Sequence, residues 1–210
     1  MPLAVDCFPL GPFQANCYVI RADRATPDAA VVDPGGDVPG LRLELARTGA
    51  RCAGILVTHT DVDHIGGVAD LAEGTGAEVW VPAGEAEIMR DPTLVLRAGG
   101  VRPHEPEHLV DDGDEVEVAG IAFEVVAVPG HSSGHVAYHA DGHLFSGDVL
   151  FGGSVGRTDI DGGDWETLVA SIRTLFDRFP PETIVHPGHG RETTLGRERS
   201  HNPFLAELRA

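Results

Sequence analysis

Thr58-His59-Thr60-Asp61-Val62-Asp63-His64 packs two imidazoles and two carboxylates into six residues, directly after the apolar run Ile55-Leu56-Val57. The apolar run reads as a buried strand, and the polar cluster as a loop held at its C-terminal end by a rigid scaffold. His and Asp side chains at this spacing are metal-ligand chemistry. Three more strand-like runs end the same way. Residues 125–128 lead into Pro129-Gly130-His131-Ser132-Ser133-Gly134-His135, residues 144–146 into Gly147-Asp148, and residues 183–185 into His186-Pro187-Gly188-His189-Gly190. Glycine at such turns lets the backbone bend sharply or come close to an ion. One His beside a strand is ordinarily a surface or hydrogen-bonded residue. Four strand ends in one chain point to a metal site. Imidazole and carboxylate donors without thiolates suit zinc, iron or manganese at a catalytic centre better than a closed structural zinc site.

The rest of the chain alternates strands and helices around these turns. Residues 5–10 and 17–21 read as a hairpin about Gly11-Pro12, and 29–32 as a third strand stopped by Asp33-Pro34-Gly35-Gly36. A helix is expected over 38–48, with Asp37 as N-cap and Gly49 at its end. Strand 54–58 follows, then a helix from about Ile65 to Glu73 and strand 78–81. Residues 83–108, punctuated by Pro and Gly, read as a loop or a short helical excursion. Strand pairs are expected at 115–118 with 122–128 and at 136–139 with 143–146, the latter about the turn Asp141-Gly142. Trp165, Leu168, Ile172, Leu175, Phe176 and Phe179 give 164–179 the strongest helical spacing. A last strand at 183–185 and a closing helix from about Pro203 complete a single domain over 1–210, two sheets between helices.

The net charge of −18 comes from 33 acidic residues against 15 basic ones, all of them Arg. Such a surface repels phosphate backbones and disfavours nucleic-acid binding. Cys7, Cys17 and Cys52 are odd in number and widely spaced, which suits reduced thiols rather than a disulfide framework. No secretory signal pattern and no run of about 18 apolar residues is present. A cytoplasmic protein without a membrane partner is expected; the oligomeric state is left open.

Beyond these readings, the chain resembles the metallo-β-lactamase superfamily, whose hallmark is a HxHxDH motif followed by a distant His, an Asp and a final His. The resemblance spans essentially the whole chain. It implies an α/β fold, an αββα four-layer sandwich of two mixed sheets packed face to face with helices outside and the metals at one edge. It also implies the ligand set: His59, Asp61, His131 and the bridging Asp148 for one divalent ion, and Asp63, His64, Asp148 and His189 for a second. Phe145-Ser146-Gly147-Asp148-Val149-Leu150-Phe151, Gly156-Arg157-Thr158-Asp159 and Pro187-Gly188-His189-Gly190 are similar to short, single-domain glyoxalase-II-like hydrolases, which resemble hydroxyacylglutathione hydrolase without its C-terminal helical substrate domain.

That resemblance implies hydrolysis of a hydroxyacyl-thiol thioester, of the S-lactoylglutathione type, by hydroxide generated at the metals, with Asp63 as the catalytic carboxylate. Zinc is the first expectation, with iron or manganese as alternatives. Arg157, Arg191 and Phe151 are the candidate substrate-binding residues, and His135 a support for the His131 loop. Asp61 is the departure, standing where the hallmark has a His. Its Oδ, one bond from Cγ like an imidazole Nδ1, reaches nearly the same point. Together with Asp63, Asp148 and a bridging hydroxide, the Asp61 carboxylate cancels the net positive charge that two divalent ions would otherwise retain, which favours a harder ion at that position. An iron-dependent persulfide dioxygenase-like enzyme shares the Gly156-Arg157-Thr158-Asp159 stretch and is the main alternative; a lactonase of the same superfamily is another.

Overall fold

The computed structural model describes residues 3–95, 98 and 100–209. Three strands, β1 (Ala4–Leu10), β2 (Ala15–Arg21) and β3 (Asp28–Val32), pair antiparallel. Helix α1 (Val38–Thr48) then carries the chain back to β4 (Arg51–Leu56), parallel to β3. The caps of α1 are those read from sequence. Asp37 accepts the Gly40 N–H at 3.2 Å, and Gly49, at φ 70°, turns the chain out with its N–H on the last carbonyls.

Two short helices follow, α2 (Val62–Ile65) and α3 (Val68–Thr75), where one helix from Ile65 was expected. Helix α2 begins inside the motif, so Asp63 and His64 lie on its single turn. The break at Gly66-Gly67 has a steric cause. A Cβ on Gly66 would press on the Gly35 carbonyl, and one on Gly67 would lie 2.6 Å from the Pro34 carbonyl and from Val38 Cγ2. The turn after β3 passes directly beneath. The chain continues through β5 (Glu78–Pro82), a 3₁₀ turn at Ala83–Glu85, α4 (Ala86–Arg90), a second 3₁₀ turn at Pro92–Leu94, and β6 (His108–Val110). The region 83–108 is thus a short helical excursion over 83–94, an irregular loop over 101–107 and the start of strand β6 at His108. Residues 96, 97 and 99 lie outside the described set. The first sheet has the order β1-β2-β3-β4-β5-β6.

The second half repeats the plan. β7 (Glu115–Val118), β8 (Ile121–Ala127), β9 (Val136–Ala140) and β10 (His143–Gly147) pair antiparallel in succession. A small hairpin, β11 (Leu150–Phe151) and β12 (Ser154–Val155), precedes α5 (Trp165–Arg178), which returns the chain to β13 (Ile184–Pro187), parallel to β10. β14 (Thr193–Thr194) and α6 (Leu195–His201) follow, then a 3₁₀ segment at Pro203–Arg209. The closing helix therefore starts earlier than Pro203, capped by the Thr194 hydroxyl on the Arg197 N–H. The second sheet has the order β14-β13-β10-β9-β8-β7.

Strand alternation separates three apolar layers. Tyr18, Ile20, Ala30, Val32, Phe123, Tyr138 and Phe145 pack between the sheets. The alternate residues Cys17, Val19, Ala29 and Val31 face α1 and α3, and Ala137, Leu144 and Val185 face α5. This is the αββα sandwich. Each fully buried Phe or Ile contributes roughly 1.5–3 kcal/mol. The tight sandwich is what holds the loops at the strand ends in register with one another.

Candidate metal centre

All seven donors implied by the resemblance come together at one edge of the sandwich. Their loops leave β4, β8, β10 and β13. His59, Asp61 and His131 form one group whose ligand atoms lie within 4.8 Å of one another, and Asp63, His64 and His189 form another. Asp148 stands between the groups. Its Oδ1 is 3.4 Å from His64 Nε2, and its Oδ2 is 3.6 Å from His189 Nε2 and 3.9 Å from His131 Nε2. Asp61 Oδ2 lies 3.1 Å from His131 Nε2, and Asp63 Oδ2 lies 3.2 Å from His189 Nε2. His59, His64 and His131 are buried.

Three imidazoles are fixed through Nδ1, which turns Nε2 inward. His64 Nδ1–H donates to Asp33 Oδ2 at 2.9 Å, and His131 Nδ1–H to the Arg157 carbonyl at 2.9 Å. The Thr58 hydroxyl donates to Asp33 at 2.6 Å and lies 2.9 Å from His59 Nδ1, so it is the natural acceptor for that N–H. Such outer partners set the tautomer that leaves Nε2 free to ligate. Asp33 also falls within ligand distance of His59 and His64. Its oxygens, however, accept the Thr58 N–H, the Thr58 hydroxyl and His64 Nδ1–H. It orients ligands rather than adding one.

Whether these residues suit metal ions can be judged from the polar atoms themselves. His64 Nε2 and Asp148 Oδ1 are buried and face each other without hydrogen-bond geometry. Burying such atoms unsatisfied is costly, and a shared cation resolves it. Gly188 leaves the space: a Cβ there would overlap Asp148 Oδ1 and lie 2.7 Å from His64 Cε1. The electrostatics agree. Burial opposes charge on His64 and His131, yet Asp148 and Asp33 raise the first, and Asp61 and Asp148 the second, above the ordinary imidazole value. A hydrogen bond to Asp63 raises His189. Burial would raise Asp63 and Asp148, but the imidazoles around them hold both below the usual carboxylate range. The cluster attracts cations, protons or metals alike. The donor set fits two divalent ions.

Asp61 precedes α2 at its N-cap position, yet its side chain makes no capping bond. It turns to His131 instead. His135 is buried, and its role differs from the expected support of the His131 loop. Its Nδ1–H donates to the Val136 carbonyl at 3.1 Å, and its Nε2 accepts the Asp148 N–H at 3.1 Å. Burial and the neighbouring His131 push its pKa well down, which keeps it the neutral acceptor Asp148 needs.

The candidate substrate residues are scattered. Phe151 stands 6.1 Å from His189, ring centroid to ring centroid. Arg157 is an exposed side chain paired with Asp159 at 2.8 Å; what it gives the site is its carbonyl. Arg191 lines a cleft of about 680 Å³ with Tyr18, His143, His186 and Glu192, and none of the seven donors lines it. A smaller cleft, about 210 Å³, opens beside Asp63 and is lined by Leu10, Pro12, Phe13, Val62 and Val101. Its lining includes one of the seven donors, Asp63. The larger volume reflects the gap beside edge strand β1.

The sequence reading missed two residues that organise the site, Asp33 and Glu85. In the sequence Asp33 opens a strand-stopping Pro-Gly-Gly turn, and it also follows the pattern of an apolar strand ending in an acid. Glu85 is fully buried and carries no motif around it. Asn16 was likewise unmarked. Its Nδ2 donates to the Pro187 and Gly190 carbonyls at 2.9 Å each, tying β2 to the His189 loop.

The profile of the metallo-beta-lactamase superfamily matches residues 10–189. The hydroxyacylglutathione hydrolase GloC of Haemophilus influenzae is 34% identical over 210 residues, spanning 96% of this chain and 97% of that protein. The crystal structure of BLEG-1 B3 metallo-beta-lactamase superposes with a TM-score of 0.90 at 38% identity, covering 97% of this chain and 100% of the other. TTHA1623, solved in a di-iron-bound form, superposes at 0.82 with 38% identity, covering 96% and 100%. The chain belongs to the metallo-beta-lactamase superfamily. It carries His and Asp groups able to hold divalent metals. Among the described residues, no helix is long and apolar enough to cross a membrane.

Proposed function

We propose that the protein hydrolyses a small thioester of the hydroxyacyl-thiol type, using two divalent ions held by His59, Asp61 and His131 and by Asp63, His64 and His189, with Asp148 shared. The observation that carries this reading is the position of Asp148 between two complete three-donor groups. The likeness to a hydroxyacylglutathione hydrolase over nearly the full length of both chains supports the substrate class. Bound ions would supply a water of lowered pKa and polarise the substrate carbonyl.

The chain's own residues do the rest. Asp63, held ionised by His189 and His64, accepts a hydrogen bond from the attacking water and fixes its direction. Asp33, Thr58 and the Arg157 carbonyl hold three imidazoles in place, so the donors need no rearrangement during reaction. The apolar walls of the small cleft, Leu10, Phe13, Val62 and Val101, receive the acyl part and keep bulk water from it. The charged groups of the cluster are all drawn into the two donor groups, so the leaving group departs without a separate acid. A thiolate, with a pKa of about 8.5, does this readily; an amide nitrogen does not. That difference favours thioester over β-lactam or peptide cleavage.

The test is a panel of S-lactoyl thioester, acyl lactone, β-lactam and thiol persulfide, offered to protein reconstituted with zinc, iron or manganese. Thiol release from the thioester is the expected outcome. Oxygen uptake with the persulfide in its place would establish the dioxygenase alternative, and inactivity on the thioester with every metal would end the proposal.

A further inference from the structure

Glu85 sits in the 3₁₀ turn after β5 with its side chain fully buried. Its two oxygens accept from two different loops. Oε2 accepts the Thr60 N–H at 3.2 Å and the Thr60 hydroxyl. Oε1 accepts the Ser132 hydroxyl at 2.6 Å and the Gly134 N–H at 3.2 Å. Thr60 lies between His59 and Asp61, and Ser132 follows His131. One carboxylate therefore bridges the two loops that carry the first donor group. The backbones come close enough for this because of two glycines. A Cβ on Gly84 would lie 3.0 Å from Gly134 Cα, and one on Gly134 would lie 2.7 Å from the Gly84 carbonyl carbon.

We propose that Glu85 is a positioning residue. It sets the distance between the His59–Asp61 loop and the His131 loop, and through that distance the affinity of the first ion. The inference rests on the two-ion reading of the cluster. Its physical basis is the match of four donors to a group that only accepts. Two of those donors are backbone N–H groups and cannot turn round. Glu85→Gln would set an NH₂ against either the Thr60 N–H or the Gly134 N–H, so one loop must let go. The other donor group has anchors of its own: α2 follows the Thr60 loop directly, but His64 on it is tied to Asp33, and His189 sits on the loop after β13.

The test reads metal binding directly. Metal-free protein is titrated with Co(II), following its visible absorption, in two backgrounds: His189→Ala, which cripples the second group, and His131→Ala, which cripples the first. Glu85→Gln is expected to weaken Co(II) binding about 10–100-fold in the His189→Ala background and to leave binding in the His131→Ala background unchanged. Equal weakening in both, or none in the first, would overturn the proposal. Parent protein that binds a single equivalent of Co(II) would overturn the two-ion reading itself, and is distinguishable because it needs no Glu85 variant. Ser132→Ala removes one of the four bonds without setting donor against donor. Should Glu85→Gln not fold, Ser132→Ala decides, with a smaller loss at the first group expected and no loss overturning the inference.

Discussion

Replacing Asp33 by Asn exchanges one oxygen for an NH₂ group at nearly constant shape. In the native site three donors point at this carboxylate: the Thr58 N–H at 2.8 Å on Oδ1, and the Thr58 hydroxyl at 2.6 Å and His64 Nδ1–H at 2.9 Å on Oδ2. The amide can be placed in two ways. With its oxygen toward Oδ2, the NH₂ opposes the Thr58 N–H, and a buried donor is left unsatisfied at about 1–3 kcal/mol. With its oxygen toward Oδ1, the NH₂ faces His64 Nδ1, which must then present a lone pair and move its proton to Nε2. The imidazole tautomers differ little in energy, so the second placement wins. It removes Nε2, the atom that faces Asp148 Oδ1, from the set of metal donors. Asp33→Asn is therefore expected to weaken the second ion about 10–100-fold, roughly 1.4–2.8 kcal/mol, and also to lower the stability of the metal-free protein, where Asp33 helps hold His64 protonated. Competition titration against a chelator measures the affinity, and ¹⁵N chemical shifts of His64 read the tautomer. Native affinity for both ions together with an unmoved tautomer would refute the reasoning.

Other expectations follow from the same geometry. Asp61→Ala should lose the ion held with His59 and His131, and Asp61→His should keep it while shifting preference from manganese or iron toward zinc; elemental analysis after purification without chelator checks both, and a single metal equivalent unchanged by Asp61→Ala counts against ligation. Gly188→Ala should strip the centre, since its Cβ overlaps Asp148 Oδ1, and cost about 1–3 kcal/mol in the metal-free protein; denaturant unfolding and metal content report it, and retention of two ions would be a failure. In chelated protein, the raised His64, His131 and His189 contribute stability that is complete below about pH 6.5 and is lost as pH rises through their higher folded values. The lowered Asp63 and Asp148 contribute stability present above about pH 3.9 and lost as pH falls through their folded values. Buried His135 and His186, held neutral in the fold, act the other way below about pH 6.5, so the chelated protein should melt highest near that value, and metal should raise Tm most at neutral and alkaline pH; a metal-induced rise in Tm that shrinks from about pH 6 to 8 would contradict this.

Where structure is decided by near neighbours, it was legible in the chain. Helix α1 begins and ends at the capping residues read from sequence, because Asp37 and Gly49 act within one turn. The donors at the strand ends were visible because each follows an apolar run. The splitting of the helix after His64 was not, because its cause lies in Gly35 and Pro34, some thirty residues upstream. Asp33 fits the same pattern as Asp148, an apolar strand ending in an acid, but the Pro-Gly-Gly turn that follows it accounts for an acid there equally well. Glu85 had no local signal. Its partners, Thr60, Ser132 and Gly134, are assigned by the packing of the two halves. The same holds for His135, whose sequence position beside His131 suggested support for that loop, while the fold gives it to Asp148.

The most direct measurement takes metal-free protein and follows thiol release from an S-lactoyl thioester as zinc, iron or manganese is added equivalent by equivalent. With Asp148 between two three-donor groups, release should reach its maximum at the second equivalent of the preferred ion and vanish with chelator. No release at any loading of any of the three ions, or full release at one equivalent, would contradict a two-metal thioester hydrolase.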